Sequence, residues 1–288
     1  MSKGFSFKKL AVALTTSTML TLSGAAVSSD LASIEKKGVM KVATEDNYAP
    51  FNYIYQGKPS GMNKDLLDEL QAYSSFDVQQ EILPWTGLLA SVSAGQFDVA
   101  LTGAIVTEAR LNVFDFTPPI ASAQHYFVMR ASDDSINEIS DLDGKTVGLQ
   151  AGSALLERLP ELKIMLEAEG KTLGTVVQYQ SYPEAYADLA NGRIDYVINS
   201  IVSVNDVVKS KPKLFKKGLA VSGPGFIGWP VPKDNPELLE YLTGFFQHMS
   251  ETGRLAQLQE KWFGESFESL PMEAITSTEQ YKDLTKVN

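Results

Sequence analysis

The chain has no cysteine among its 288 residues, and only two histidines and three tryptophans. Without cysteine there is no disulfide framework, and no thiol for a lipid-attached export signal. With only His125 and His248 available, neither a metal-ligand spacing nor a Ser-His-Asp order can be drawn, and no glycine-rich phosphate loop is present. No metal site and no cofactor is expected. Basic runs with interleaved aromatics are also missing. The net charge is −10, from 25 basic and 35 acidic residues. Such a surface repels nucleic acid and anionic membranes, so a nucleic-acid partner is not expected. Past the first two dozen residues, no apolar stretch is long enough for a membrane span.

The N-terminus carries a targeting pattern. Lys3, Lys8 and Lys9 are followed by a mostly apolar run from Leu10 to Leu22, then by the small residues Ser23-Gly24-Ala25-Ala26-Val27-Ser28. Residues 1–28 read as a cleavable signal peptide, cut after Ala25, Ala26 or Ser28. The run is shorter than the roughly 20 residues that an anchor needs. Cleavage removes three lysines and no acid, which leaves 22 basic against 35 acidic residues and a charge of −13. The expected location is the periplasm, as a free protein without a lipid anchor.

Two segments echo each other. Phe97-Asp98-Val99-Ala100-Leu101-Thr102-Gly103 resembles Ile194-Asp195-Tyr196-Val197-Ile198-Asn199-Ser200, and each follows a short amphipathic helix closed by glycine, Gly95 or Gly192. Strands such as Gly38–Thr44, Gln79–Leu83 and Thr146–Gln150 alternate with helical patterns such as Asn63–Tyr73 and Thr86–Ala94. Asn63 is the expected N-cap of the first of these helices. Asn235-Pro236 starts a helix whose buried side is Leu238, Leu239, Leu242, Phe245, Phe246 and Met249. Alternation of this kind argues for α/β sheets, whose ligands sit beyond the carboxyl ends of strands. The expected organisation is two lobes. Residues 29–123 and 228–288 form the first, ending in a loose polar tail from Thr276. Residues 124–227 form the second, entered by an extended crossing strand over Gln124–Arg130. Two crossings between lobes make a hinged clamshell.

The motifs now permit a comparison. Asn47-Tyr48-Ala49-Pro50-Phe51, Gly61-Met62-Asn63-Lys64-Asp65-Leu66, Trp85-Thr86-Gly87-Leu88, Ala94-Gly95-Gln96-Phe97-Asp98 and Thr107-Glu108-Ala109-Arg110 occur in order. They continue through Phe114-Asp115-Phe116-Thr117, Leu142-Asp143-Gly144-Lys145-Thr146-Val147-Gly148, Gly192-Arg193-Ile194-Asp195 and Lys261-Trp262-Phe263-Gly264. In these the chain resembles the bacterial solute-binding proteins for polar amino acids, the extracytoplasmic subunits of ABC importers (family 3 type). The resemblance implies an α/β two-lobed periplasmic-binding-protein fold with two crossover strands. It also implies a monomer that closes on a small carboxylated solute and docks onto a membrane permease.

Arg110 is the first candidate site residue, because a guanidinium fork matches a carboxylate in two parallel hydrogen bonds. The resemblance gives it the ligand's α-carboxylate. Read alone, it could equally pair with Glu108 or Asp115 on the surface. Gly152 and Ser153 open a helix after a strand, where backbone N–H groups favour an anion; the resemblance sets them opposite Arg110. Tyr48 and Trp85 form an expected aromatic pair around the ligand, with Phe51 left to the core. Glu45 lies where relatives for cationic amino acids carry an acid, although a solvated carboxylate is the plainer reading of the residue. Gly103 lies in the same mouth. Two positions depart from the pattern. Ile105 stands where relatives carry a hydroxyl, and Ser200, preceded by Asn199, stands where they carry the aspartate that grips the α-ammonium. The solute is therefore expected to be a polar amino acid, its ammonium met by Glu45 or another acid, or an amino-acid derivative without a free primary ammonium. A dehydratase on the same fold, acting on cyclic acids, would need a general acid in the cleft, and Ser200 supplies none. A sensory role, with the clamshell presenting its ligand to a receptor, is the third reading.

Overall fold

The computed structural model describes residue 1 and residues 31–286; apart from Met1, the expected signal peptide lies outside the described residues. Two sheets organise the chain. The first is parallel, in the order Asp77–Leu83, Val39–Glu45, Val99–Ala100. The second has five strands, in the order Val176–Tyr179, Val147–Gln150, Tyr196–Ser200, His125–Arg130, Phe215–Ala220. Its first two pairings are parallel and its last two antiparallel, so His125–Arg130 alone runs against the other four. Helices pack on both sheets, giving the expected two-lobed α/β arrangement.

The chain passes between the sheets twice, and the two passages lie side by side. Phe114–Phe116 pairs with Pro230–Pro232, and Ala121–Ser122 with Phe226–Ile227, both antiparallel. Gln124–Arg130, expected as the crossing strand, is not the crossing: His125–Arg130 is an interior strand of the second sheet. Its apolar residues, Phe127, Val128 and Met129, are buried there, and a run buried on both faces gives no alternation to distinguish it from a linker.

The internal repeat is physical. Asp98 N–H donates to Lys41 O at 2.9 Å, and Lys41 N–H donates back to the Asp98 carboxylate at 2.7 Å. In the second lobe Asp195 and Thr146 make the same exchange at 2.9 and 2.8 Å. Gly95 and Gly192 precede these turns with φ of 72° and 73°, a backbone that costs glycine little and other residues more.

Two local expectations change. Helix Met62–Tyr73 begins earlier than expected, with Gly61 at the N-cap position. Asn63 is therefore inside the first turn and fully buried. It donates to Asn52 Oδ1 at 2.7 Å and accepts from Trp229 Nε1 at 2.8 Å, tying a loop, a helix and the second passage together. The tail from Thr276 is not loose: Thr278–Thr285 is a helix capped by Ser277, and it buries Tyr281. Ile275 bridges to Phe116 just before it. Two apolar anchors in a polar stretch are too few to produce a readable period. Helix Pro236–Glu251 buries the six residues expected of it. Among the described residues no helix is long and apolar enough to cross a membrane.

Candidate functional site

The carboxyl ends of strand Val39–Glu45 in one lobe and strand Val147–Gln150 in the other face the same space, a narrow cavity of about 20 Å³. The first lobe lines it with Glu45, Tyr48, Trp85, Gly103, Ile105 and Arg110, the second with Gln150, Ser153, Ala154, Leu155 and Tyr182. The lining holds one cation, Arg110, and one acid, Glu45.

Arg110 is placed by a four-residue helix, Glu108–Leu111, whose N-cap Thr107 accepts the Arg110 backbone N–H at 3.2 Å. Its Nη1 donates to Ile105 O at 2.8 Å and its Nη2 to Gly152 O in the opposite lobe at 3.5 Å. The guanidinium carbon lies 5.2 Å from the Trp85 ring centroid. The side chain is buried, and burial holds its pKa below the usual value, against the pull of Glu157, Tyr48 and Glu45. The surface alternatives are occupied otherwise: Glu108 pairs with Lys282 at 2.8 Å and Asp115 with Lys233 at 2.7 Å. Among the described residues no carboxylate comes within ion-pair distance of Arg110. A desolvated cation without a counter-charge is unfavourable by roughly several kcal/mol, and an arriving carboxylate would relieve that cost.

Two hydroxyls face the same space. Ser153 Oγ and Tyr182 Oη are buried, and neither meets hydrogen-bond geometry with a described residue; burial raises the Tyr182 pKa well above an ordinary phenol, Tyr48 and Tyr186 add to it, and the neighbouring Ser153 hydroxyl offsets it. Both are neutral and can donate. Ser153 is the N-cap residue of helix Ala154–Ala168, so the positive end of that helix points into the cavity. The Ser153 N–H is used within the turn, to Gln150 O at 3.2 Å, and Gly152 offers Arg110 its carbonyl. This turn adds the Ser153 hydroxyl to the cavity beside the N-terminus of the helix.

Glu45 corrects another expectation. It is 3 % exposed, not a solvated carboxylate, because the second lobe covers the strand end that carries it. One carboxylate oxygen accepts from Thr102 Oγ1 and the other from Gln150 Nε2 across the cleft, both at 3.2 Å. Burial raises its pKa to about 7; the Gln150 and Thr102 hydrogen bonds oppose this, Asp46 adds to it and Arg110 offsets a little.

Tyr48 joins the lobes. Its hydroxyl donates to Asn199 Oδ1 at 3.4 Å and lies 3.5 Å from Ser200 Oγ. Its ring stacks on Tyr182 with centroids 5.8 Å apart. Burial pushes its phenol up to about 12. Asn199 and Ser200 therefore do not line this cavity. Asn199 also accepts from Ser200 N–H at 2.8 Å and donates to Tyr186 Oη at 3.1 Å. Gly103 is required where it stands, since a Cβ there would lie 2.5 Å from the Tyr48 ring and 2.8 Å from Phe51.

Of the nine residues expected from sequence, seven line one cavity and two hold its tyrosine from behind. Gln150 and Tyr182 were missed. Both sit at the carboxyl ends of second-lobe strands, Gln150 closing Val147–Gln150 and Tyr182 just after Val176–Tyr179, so the strand-end rule would have found them. Neither histidine lines the cavity, and among the described residues no group of His, Cys, Asp and Glu could hold a metal ion.

Comparison with known proteins agrees with this fold. Residues 40–265 match the profile of the bacterial extracellular solute-binding proteins, family 3. The L-cystine-binding protein TcyJ of Escherichia coli (strain K12) is 28% identical over 237 residues, covering 80% of this chain and 85% of that protein. The ABC transporter arginine-binding protein 1 of the same organism is 27% identical, covering 75% and 87%. A solved structure of an ancestral arginine-binding protein bound to arginine superposes with a TM-score of 0.70 at 29% identity, covering 79% of this chain and 99% of that one.

Proposed function

Because the chain belongs to the bacterial extracellular solute-binding proteins of family 3, we propose that it is the periplasmic capture component of an ABC importer for a small carboxylated solute, a polar amino acid or an amino-acid derivative. It is a binding protein and not an enzyme; the relatives above are amino-acid-binding transport proteins. In the proposed mechanism the solute's carboxylate enters the cleft and meets Arg110, while the Ser153 and Tyr182 hydroxyls approach from the second lobe as the lobes meet. Contacts made only when both lobes are present stabilise the closed form, which is the form offered to the membrane permease. Residues 1–28 direct export to the periplasm.

One observation carries this reading: a buried arginine without a counter-ion lies between two lobes, beside two hydroxyls that also lack partners. Glu45 is the acid available to a ligand's ammonium or other cationic group, since Asn199 and Ser200 are engaged with Tyr48. A thermal-shift screen of amino acids, methylated amines and small carboxylates tests it. A true solute at 100 times its Kd adds about 2.7 kcal/mol of stability. The shift is expected to vanish when the solute's carboxylate is converted to an amide, and in Arg110→Ala, whose unliganded melting temperature should not fall below the native one because a desolvated cation has been removed. A shift that persists in both would refute the clamp.

A further inference from the structure

The match to the family profile ends at residue 265, and the chain runs on to 288. The described part of that extension stays on the first lobe. Ile275 exchanges both backbone hydrogen bonds with Phe116, each at 2.9 Å. Thr276 O accepts from Lys233 Nζ at 3.2 Å, and Gln280 Nε2 donates back to Ala274 O at 2.8 Å. Helix Thr278–Thr285 then lies against Glu108–Leu111, the short helix that carries Arg110. Tyr281, 8% exposed, joins the apolar cluster of Leu111, Phe114 and Phe116. Lys282 pairs with Glu108 at 2.8 Å. Both members of that ion pair are exposed, so it contributes little, and the buried tyrosine is the principal contact.

Helix Glu108–Leu111 is a single turn, too short to sustain itself. The Thr107 cap and the Leu111 N–H bond to Thr107 O at 3.0 Å fix the shape of the turn. They do not fix its place on the lobe; packing around Leu111 does. The extension contributes no residue to the solute cavity. It faces Glu157, Arg158 and Glu161 of the second lobe across a groove of about 710 Å³. Its route to the site is therefore the Arg110 turn.

We infer that the C-terminal extension braces this turn, and that Tyr281 is a positioning residue for the carboxylate clamp at Arg110. The brace stands on the packing alone; the positioning role rests on the proposed clamp. A guanidinium that makes two parallel hydrogen bonds tolerates little displacement. Loosening the brace should therefore weaken the carboxylate contact while the rest of the fold holds.

Hydrogen exchange and calorimetry on variants of the whole chain test the two halves. Tyr281→Ala should speed amide exchange over residues 107–113 by on the order of tenfold, while strand Tyr196–Ser200 in the second lobe stays within about twofold of the native rate. Tyr281→Phe keeps the ring and should match the native chain in both. Tyr281→Leu, read in the same way, serves if the alanine variant does not fold. Unchanged exchange over 107–113, or equal acceleration in Tyr196–Ser200, would overturn the brace. Titration uses three probes, L-glutamine, L-lysine and glycine betaine, each beside the derivative whose carboxylate is converted to an amide. For the probe that the native chain binds most tightly, Tyr281→Ala should lower the carboxylate-over-amide affinity ratio by about tenfold, and Tyr281→Phe by less than about twofold. A ratio unmoved in Tyr281→Ala despite faster exchange over 107–113 would overturn the positioning role. Native binding of none of the three probes would count against the proposed function and take the positioning role with it, and the exchange result would decide the brace by itself.

Discussion

In the first lobe Asp98 exchanges two hydrogen bonds with Lys41, and in the second Asp195 exchanges the same two with Thr146. Each turn follows a glycine with φ near 72° and launches a strand beside the lobe's first parallel partner. Beyond these shared turns the lobes diverge. The first brings the charges, Arg110 and Glu45. The second brings dipoles: the Gln150 amide, the Ser153 and Tyr182 hydroxyls, and a helix N-terminus. A frame used twice thus carries two kinds of chemistry. Under the proposed function this division lets one lobe attract a carboxylate while the other contributes only on closure, so that ligand binding biases the hinge.

Arg110→Ala is the most damaging change to this division. Truncating one partner of a buried charge pair costs about 2–5 kcal/mol of binding, whereas Ser153→Ala, which removes a neutral partner, should cost about 1 kcal/mol. Titration of both variants with the same solute measures the gap, and equal losses would erase the distinction between lobes.

Glu45 comes next and acts through pH. Its carboxyl is raised to about 7 in the folded chain from an ordinary value near 4.5. The folded state therefore holds a proton that the unfolded state has released between those values, and its contribution is full below about pH 4.5 and lost as pH rises through 7. The size is on the order of 3 kcal/mol. Urea unfolding at pH 5 and pH 8 should show Glu45→Gln losing much less stability across that interval than the native chain. An identical pH slope in both would mean that Glu45 does not titrate as described. Gln150→Ala removes a hydrogen bond that opposes the rise, so it should act in the opposite direction and steepen the loss of stability between pH 5 and pH 8.

The shared turns supply the smallest and most symmetrical test. Asp98→Ala and Asp195→Ala each remove a carboxylate-to-backbone hydrogen bond, at a cost of about 1.5–3 kcal/mol. If the turns are equivalent, the two losses in urea unfolding should agree within about 0.5 kcal/mol, and neither should alter the carboxylate-to-amide preference of the site.

These turns were also the most legible part of the sequence, because glycine, an apolar residue and aspartate at fixed spacing are set by local backbone geometry. Arg110, Tyr48 and Trp85 were legible for a related reason: each stands in a short motif attached to a strand end. Residues whose role depends on the other lobe were less visible. Glu45 is buried by Gln150 and its neighbours, about a hundred positions away, and nothing near Glu45 in sequence announces that cover. Tyr182 gains its place only by meeting Tyr48. Asn63 has the composition of a cap, yet tertiary hydrogen bonds to Asn52 and Trp229 draw it inside the helix. The final helix, Thr278–Thr285, rests on a Ser277 cap and one buried tyrosine, too slight a signal to distinguish from a tail.

The central claim is that a carboxylate binds at Arg110 between the lobes, and a crystal structure of the chain with its highest-affinity solute tests it most directly. The predicted result is a carboxylate bridging the Arg110 guanidinium and the Ser153 and Tyr182 hydroxyls, inside the space bounded by Trp85 and Tyr48. A solute seated elsewhere, with Arg110 still bonded only to Ile105 and Gly152, would contradict it.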